Sequence, residues 1–336
     1  MPNNQAHIAQ RPVAASHGGL SPEALGGVVV LIVAVAGAVV ARLMRKKPDA
    51  KATLPRRNEV RSAPPEQLEE SNNIRRYEVL EEVGRGAMAV VHRAKSLKTG
   101  NIVAIKLIGE GFKGDDEFIA RFQRESEISR QLRHPNIVRL LAVEKDPAKM
   151  FMAMEFVDGC HLDQLVPPGG MAVDEALRLA IPIAEGLQYA HKRGLWHRDI
   201  KASNIMVNKE GNPKILDFGL ALGEGMSRFT MVGFSMGTPT YMAPEQLTTG
   251  EIDARSDQYS YGVVVYQMLA GHCPFEGKDS IQVGMRHVKE APERLRIARP
   301  EIPEALERIV LKLLAKKPAD RFADMGLVAD ALRACQ

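Results

Sequence analysis

The chain has 336 residues, 45% of them apolar and 26% charged, a globular composition with room for one or two cores, which excludes a disordered protein. Its three cysteines, Cys160, Cys273 and Cys335, stand far apart and form no CxxC pair, so neither a disulfide framework nor a zinc site is expected and a reducing compartment fits. The net charge of +4 owes much to a cluster just after residue 41, and no basic stripe with interleaved aromatics follows, which argues against nucleic acid and for a membrane.

From Ala24 to Ala41 the run "ALGGVVVLIVAVAGAVVA" carries no charge. At about 18 residues it has the least length that spans a bilayer as a helix. A cleaved signal peptide would have a shorter apolar core with positive charge before it; here Arg42, Arg45, Lys46 and Lys47 follow the run and only Arg11 precedes it. The expectation is one transmembrane helix over 24–43, a short extracytoplasmic segment over 1–23, and everything after the span in the cytoplasm, with the chain in the inner membrane. Residues 44–76 carry Pro48, Pro55, Pro64 and Pro65, first basic and then acidic, without an apolar period, and read as a juxtamembrane linker. It reads as a plain solvated tether, with contact of its basic half to anionic headgroups as the alternative.

The stretches "YEVLEEV" and "AVVHRA" alternate, are rich in β-branched residues and flank Gly84 and Gly86, so the glycines fall in a strand-turn-strand hairpin. A dinucleotide fingerprint or a Walker loop would lead from its glycines into a helix, and both are excluded. Ala89 stands where a phosphate-cradling loop would place a third glycine, and the start of a returning strand suits it. Next, "IVAIKLI" is an apolar strand with Lys106 at its middle, and a buried charge needs a partner. The following helix offers one. Phe118, Phe122, Ser129 and Leu132 form its inward stripe, on which Glu125 falls and Glu127 does not. A Lys106–Glu125 pair could lean on phosphates or be purely structural.

In "HRDIKASNIMVNKEGNPKILDFG" two short apolar runs flank a turn-rich loop and should form an antiparallel hairpin. If the turn is centred on Glu210 and Gly211, Ile205 faces Leu216 and Asn204 lies opposite Asp217 at the open end. Such hard oxygen ligands suit Mg²⁺ completed by water and phosphate oxygens. Asp199 and Lys201 lie in the loop feeding this hairpin, where a carboxylate could take a proton and an amine could steady a transferring phosphoryl group.

With these motifs in order, the chain from Tyr77 to about Leu332 resembles the eukaryotic-type (Hanks-type) serine/threonine protein kinases of bacteria. Gly84-x-Gly86 with Val91 resembles their glycine-rich loop, "VAIK" carries Lys106, "HRDIKASN" is similar to their catalytic loop, and "DFG" and "APE" follow at Asp217 to Gly219 and Ala243 to Glu245. The resemblance implies an α+β, bilobal fold over 77–334. A small β-rich N-lobe with one key helix would cover about 77–154, and a larger, mainly helical C-lobe about 158–334. It implies ATP as phosphate donor, with Mg²⁺, or Mn²⁺ in its place, on Asn204 and Asp217. Val83, Gly84, Arg85, Gly86, Ala87, Val91 and Ala104 would surround the nucleotide. Lys106, paired with Glu125, would hold the α and β phosphates; Met154 would line the adenine pocket, and the backbone of Glu155 and Val157 would bond the purine, their side chains mattering less. Asp199 would orient and deprotonate the substrate hydroxyl beside Lys201.

Lys201, together with Thr238 in "GTPTYMAPEQ", resembles the serine/threonine branch and argues against small-molecule phosphotransferases. Asp257 would bind catalytic-loop backbone and Arg321 would pair with Glu245, both structural. Arg198, preceding Asp199, implies control by phosphorylation of the segment after "DFG", where Thr230 and Ser235 are the candidate sites and solvated loop hydroxyls the alternative. The implied partners are proteins with serine or threonine, membrane lipid, and a second copy of the chain for trans-autophosphorylation. A nucleotide-binding scaffold without phosphotransfer is the alternative function, against which Lys106, Asp199, Asn204 and Asp217 are all present.

Overall fold

The computed structural model describes residues 73–74, 76–86, 89–109, 116–144, 150–218 and 239–336. The chain divides into two units, 1–64 and 65–336, and all described residues belong to the second. The expected membrane span over 24–43 lies outside the described residues, and among those that are described no helix is long and apolar enough to cross a membrane.

Six strands form the first layer: β1 (Asn73–Ile74), β2 (Tyr77–Arg85), β3 (Ala89–Ser96), β4 (Ile102–Ile108), β5 (Leu140–Glu144) and β6 (Phe151–Glu155). They are antiparallel in the order β1-β2-β3-β4-β6-β5. Period-2 alternation gives this sheet two faces. Val103, Ile105, Phe151 and Ala153 pack together on one face; Met150 and Met152, with Met154, join Leu140 and Phe122 in a second cluster. Phe122 comes from α1 (Asp116–Ser129), which therefore lies over that second cluster. The buried positions of β4, Val103 and Ile105, leave Ala104 and Lys106 sharing the opposite side of the strand. Lys106 stands between Val91 on β3 and Met152 on β6.

The helical part is organised around α3 (Val173–His191) and α5 (Ala254–Ala270), preceded by α2 (Leu162–Leu165) and α4 (Pro244–Thr248). A run from Ser256 to Tyr266 is buried on every side, so α5 is a core helix without a solvent stripe. Asp253 starts it by accepting from the N–H groups of Arg255 and Ser256, and Gly271 ends it in the left-handed region at φ 82°. Against it stand α6 (Ser280–Lys289), α7 (Leu295–Ala298) and α8 (Glu304–Leu313), while α9 (Met325–Arg333) packs on α3. A small sheet of β7 (Gly159–His161), β8 (Ile205–Asn208) and β9 (Pro213–Ile215) carries the loop residues singled out above.

The β8–β9 register differs by one residue from the expectation. Ile205 pairs with Ile215, not Leu216, and the Leu216 N–H bonds to the Asn204 carbonyl, so Asn204 faces Leu216 and Asp217 lies one residue beyond. The cause is the turn. Asn208 and Asn212 close a three-residue loop in which Gly211 takes φ 81° and the Asn208 side chain accepts from the Asn212 N–H at 2.7 Å. Glycine at the left-handed position selects this longer loop over a two-residue turn.

Candidate active site

The glycine hairpin forms as expected, with Gly84 opposite Val91, Arg85 opposite Val90, and the Gly86 N–H bonded to the Ala89 carbonyl at 2.9 Å. Ala89 opens β3 and is 8% exposed. Neither Gly84 nor Gly86 has a positive φ, and a Cβ on them would meet nothing nearer than 3.9 Å and 3.8 Å respectively. Nothing among the described residues demands glycine there. Val83 and Arg85 are exposed beside them, Arg85 held by Glu82, while Ala87 lies outside the described residues.

Two ion pairs stand in place of the expected one. Lys106 Nζ lies 2.7 Å from Asp217 Oδ2, while Glu125 Oε1 lies 3.4 Å from Arg198 Nη1. Glu125 does point inward, its side chain 20% exposed against 47% for Glu127. Its partner is the guanidinium of Arg198, because periodicity gives the face a residue presents and not the distance between helix and sheet. Ser129, further along the same stripe, donates to the Phe218 carbonyl at 2.8 Å and so ties α1 to the residue after Asp217.

Asp199 is set in a braced loop. Lys201 Nζ stands 2.9 Å from Asp199 Oδ2, and Asn204 Nδ2 donates to the Asp199 carbonyl at 2.8 Å and to Oδ2 at 3.1 Å. With its amide nitrogen so engaged, Asn204 has Oδ1 left as the oxygen to offer a cation. Beneath, Asp257 is 1% exposed and accepts from the N–H of His197 at 2.7 Å and of Arg198 at 2.8 Å, as expected for a residue binding loop backbone. His191 Nε2 lies 2.8 Å from the same carboxylate. Burial would raise the Asp257 carboxyl, but the His191 contact, the charges of His191 and His197 and the His197 N–H outweigh it and hold it below the usual carboxylate range. The bracing lets the backbone leave ordinary conformations: Arg198 and Asp217 are the only non-glycine residues with positive φ among those described, at 68° and 57°.

The chemistry of His197 does not single it out, yet its ring stacks edge-on against Phe218 at 4.9 Å and its Nε2 meets the Leu216 carbonyl at 2.6 Å, joining the loop of Asp199 to the residues on either side of Asp217. Only its place beside Arg198 and Asp199 signals it. Arg321 bonds both oxygens of Glu245 at 2.7 and 2.8 Å, with Ser256 donating to the same carboxylate. Burial pushes that carboxyl up, and Arg321 with the other donors brings it below its usual value.

At the far end of β6, Met154 lies in the cluster under α1, the Glu155 N–H bonds to the Arg139 carbonyl at 2.9 Å, and Val157 is buried. The Glu155 side chain is not idle, since its Oε1 holds Lys214 Nζ at 2.7 Å. The structure thus pairs Lys106 with Asp217 and gathers Lys201 and Asn204 at Asp199, and the bonds of His197 and of the Asn204 carbonyl to Leu216 join the loop of Asp199 to the residue before Asp217. Thr230, Ser235 and Thr238 lie outside the described residues.

Comparison with known proteins gives a family. The model of the protein kinase domain matches residues 77–332. The chain is 35% identical over 252 residues to the probable serine/threonine-protein kinase PknB of Lactococcus lactis, covering 74% of this chain and 40% of that one. It is 33% identical over 248 residues to the serine/threonine-protein kinase PrkC of Bacillus subtilis, covering 74% and 38%. It spans about two fifths of the length of these curated relatives. Among solved structures, the Mycobacterium tuberculosis PknI kinase domain matches with a TM-score of 0.64 at 29% identity, over 79% of this chain and 98% of that one.

Proposed function

Because the chain belongs to the protein kinase family, in its bacterial Hanks-type serine/threonine branch, we propose that it is a membrane-anchored enzyme moving the γ-phosphoryl group of ATP to serine or threonine hydroxyls of proteins. The observation that carries this reading is the constellation at Asp199, whose carboxylate is touched by Lys201 and by the Asn204 amide, with Asp217 two residues past the end of β9. Asp199 would accept the proton of the incoming hydroxyl, and Lys201 would place positive charge beside the transferring group. Lys106 would lean on the α and β phosphates under Gly84 and Gly86, with Val91 and Ala104 on neighbouring strands against the adenine. The donor set of Asn204 Oδ1 and the Asp217 carboxylate fits a hard divalent cation, Mg²⁺ or Mn²⁺. That cation would supply charge neutralisation on the phosphate oxygens.

In the structure Lys106 holds Asp217 and Arg198 holds Glu125. The charge-free run over 24–41 and the basic flank after it support anchoring in the inner membrane with the kinase domain in the cytoplasm.

The test is transfer from labelled ATP to a protein substrate, beside Asp199→Asn. The expected result is a loss of at least about a hundredfold in turnover, the lower end of a general-base contribution, with nucleotide binding retained. Equal turnover in both proteins would favour a nucleotide-binding scaffold.

A further inference from the structure

We infer that Glu155 and Lys214 are a positioning pair that couples purine binding at the end of β6 to cation binding by Asp217; the inference rests on the nucleotide reading of the site given above. Lys214 lies on β9, three residues before Asp217, and Glu155 ends β6. Their charged atoms stand 2.7 Å apart, with side chains only 16% and 35% exposed, so this is a partly desolvated contact rather than a surface one.

The pair closes a ring of contacts. The second carboxylate oxygen of Glu155 accepts from the Arg139 N–H at 3.3 Å, and the Arg139 carbonyl accepts from the Glu155 N–H. The same segment reaches β9 through Asn136, whose carbonyl accepts from the Ile215 N–H at 2.8 Å and whose amide donates to the Pro213 carbonyl at 2.8 Å. Val138 N–H completes the bridge to the Ile215 carbonyl. Two strands far apart in sequence are thereby held at one spacing, and the side-chain pair is their direct link. The nearby Lys209–Asp158 pair, 2.6 Å apart and 71% and 67% exposed, joins the start of β7 to the end of β8 and does not link these two strands. Since Glu155 contributes backbone at the purine edge and β9 delivers Asp217, the pair sets how far one ligand's anchor stands from the other's.

Coupling of this kind has a readout that mere stability lacks, namely the gain in ATP affinity produced by Mg²⁺. That gain is to be measured by calorimetry on the full chain in detergent, for wild type, Glu155→Gln, Lys214→Met, Lys214→Arg and the double variant Glu155→Gln with Lys214→Met, with melting of the nucleotide-free proteins alongside. The expected result is a gain reduced about fivefold in each neutralising variant, the lower end of usual coupling. The double variant loses no more than either single one, because both remove the same contact, and Lys214→Arg keeps most of the gain. An unchanged gain in Glu155→Gln and Lys214→Met, or losses that add in the double variant, would overturn the inference while leaving the site reading intact. A wild type that binds ATP no better with Mg²⁺ overturns the reading of the site, and the inference with it.

Discussion

Gly86 and Ala89 stand three residues apart and answer to different demands. A methyl on Gly86 would meet nothing within 3.8 Å, so Gly86→Ala should leave thermal stability within about 0.5 kcal/mol of wild type. The same methyl would sit where a phosphate must come close, and ATP affinity should fall by at least about 1 kcal/mol, read by calorimetry. Ala89 shows the converse. It is buried at the first position of β3, paired with Ile108, so Ala89→Gly removes a packed methyl and frees the backbone. A loss of about 1 to 2 kcal/mol in urea unfolding is expected, with ATP affinity changed by less than about 1 kcal/mol. A hundredfold change in affinity on Ala89→Gly would show that the alanine belongs to the phosphate site and not to the strand.

Two contacts between elements make equally definite predictions. A Cβ on Gly262 of α5 would lie 2.7 Å from the Leu313 Cβ of α8, and Leu313 is itself fully buried. Gly262→Ala should therefore cost about 1 to 3 kcal/mol through overpacking, seen as a lower urea midpoint at unchanged slope. Where α6 meets α5, His287 is fully buried with Nδ1 3.0 Å from the Tyr259 hydroxyl, Phe275 against its ring, and Lys316 bonded to its carbonyl and lying 4.3 Å from the Phe275 ring centre. Burial first, and the Lys316 charge second, push the His287 imidazole down to about 4. The unfolded chain then binds the extra proton between about pH 4 and 6.5, so stability rises with pH across that window and is lost as pH falls through it. The loss approaches about 3 kcal/mol, and His287→Gln should flatten the slope in melting experiments. Glu245 and Asp257, both held low, add their own loss only below about pH 4.5. None of this packing was legible in the sequence, because α5 carries no stripe to read. What could be read was local: the glycine hairpin, the apolar β4 and the inward face of Glu125 each follow from a period of 2 or 3.6. The β8–β9 register escaped because Gly211 lengthened the turn by one residue, and the Lys106–Asp217 and Glu155–Lys214 pairs escaped because they join segments with no shared period.

For the molecule as a whole, order and spacing of motifs over residues 77–332 carried the fold, since five short stretches co-occurring in one order leave little room for another architecture. If the charge-free run over 24–41 tethers the kinase to a membrane, as proposed, a separate, kinetic prediction follows. If phosphorylation of the segment containing Thr230 and Ser235 occurs between copies, its rate depends on how often copies meet. In solution that frequency scales with total concentration; on a shared membrane it scales with surface density, and short tethers hold partners at effective concentrations toward about the millimolar range. The full chain reconstituted in vesicles at a constant protein-to-lipid ratio should autophosphorylate at a rate that does not change on dilution of the vesicles. The soluble chain beginning at Ser71 should slow in proportion to its concentration. Labelled ATP and phosphopeptide mapping by mass spectrometry would follow both. A soluble chain whose rate per molecule is constant on dilution would mean that the segment folds back into its own active site, and the membrane would then serve to place the kinase near its substrates instead of near its copies.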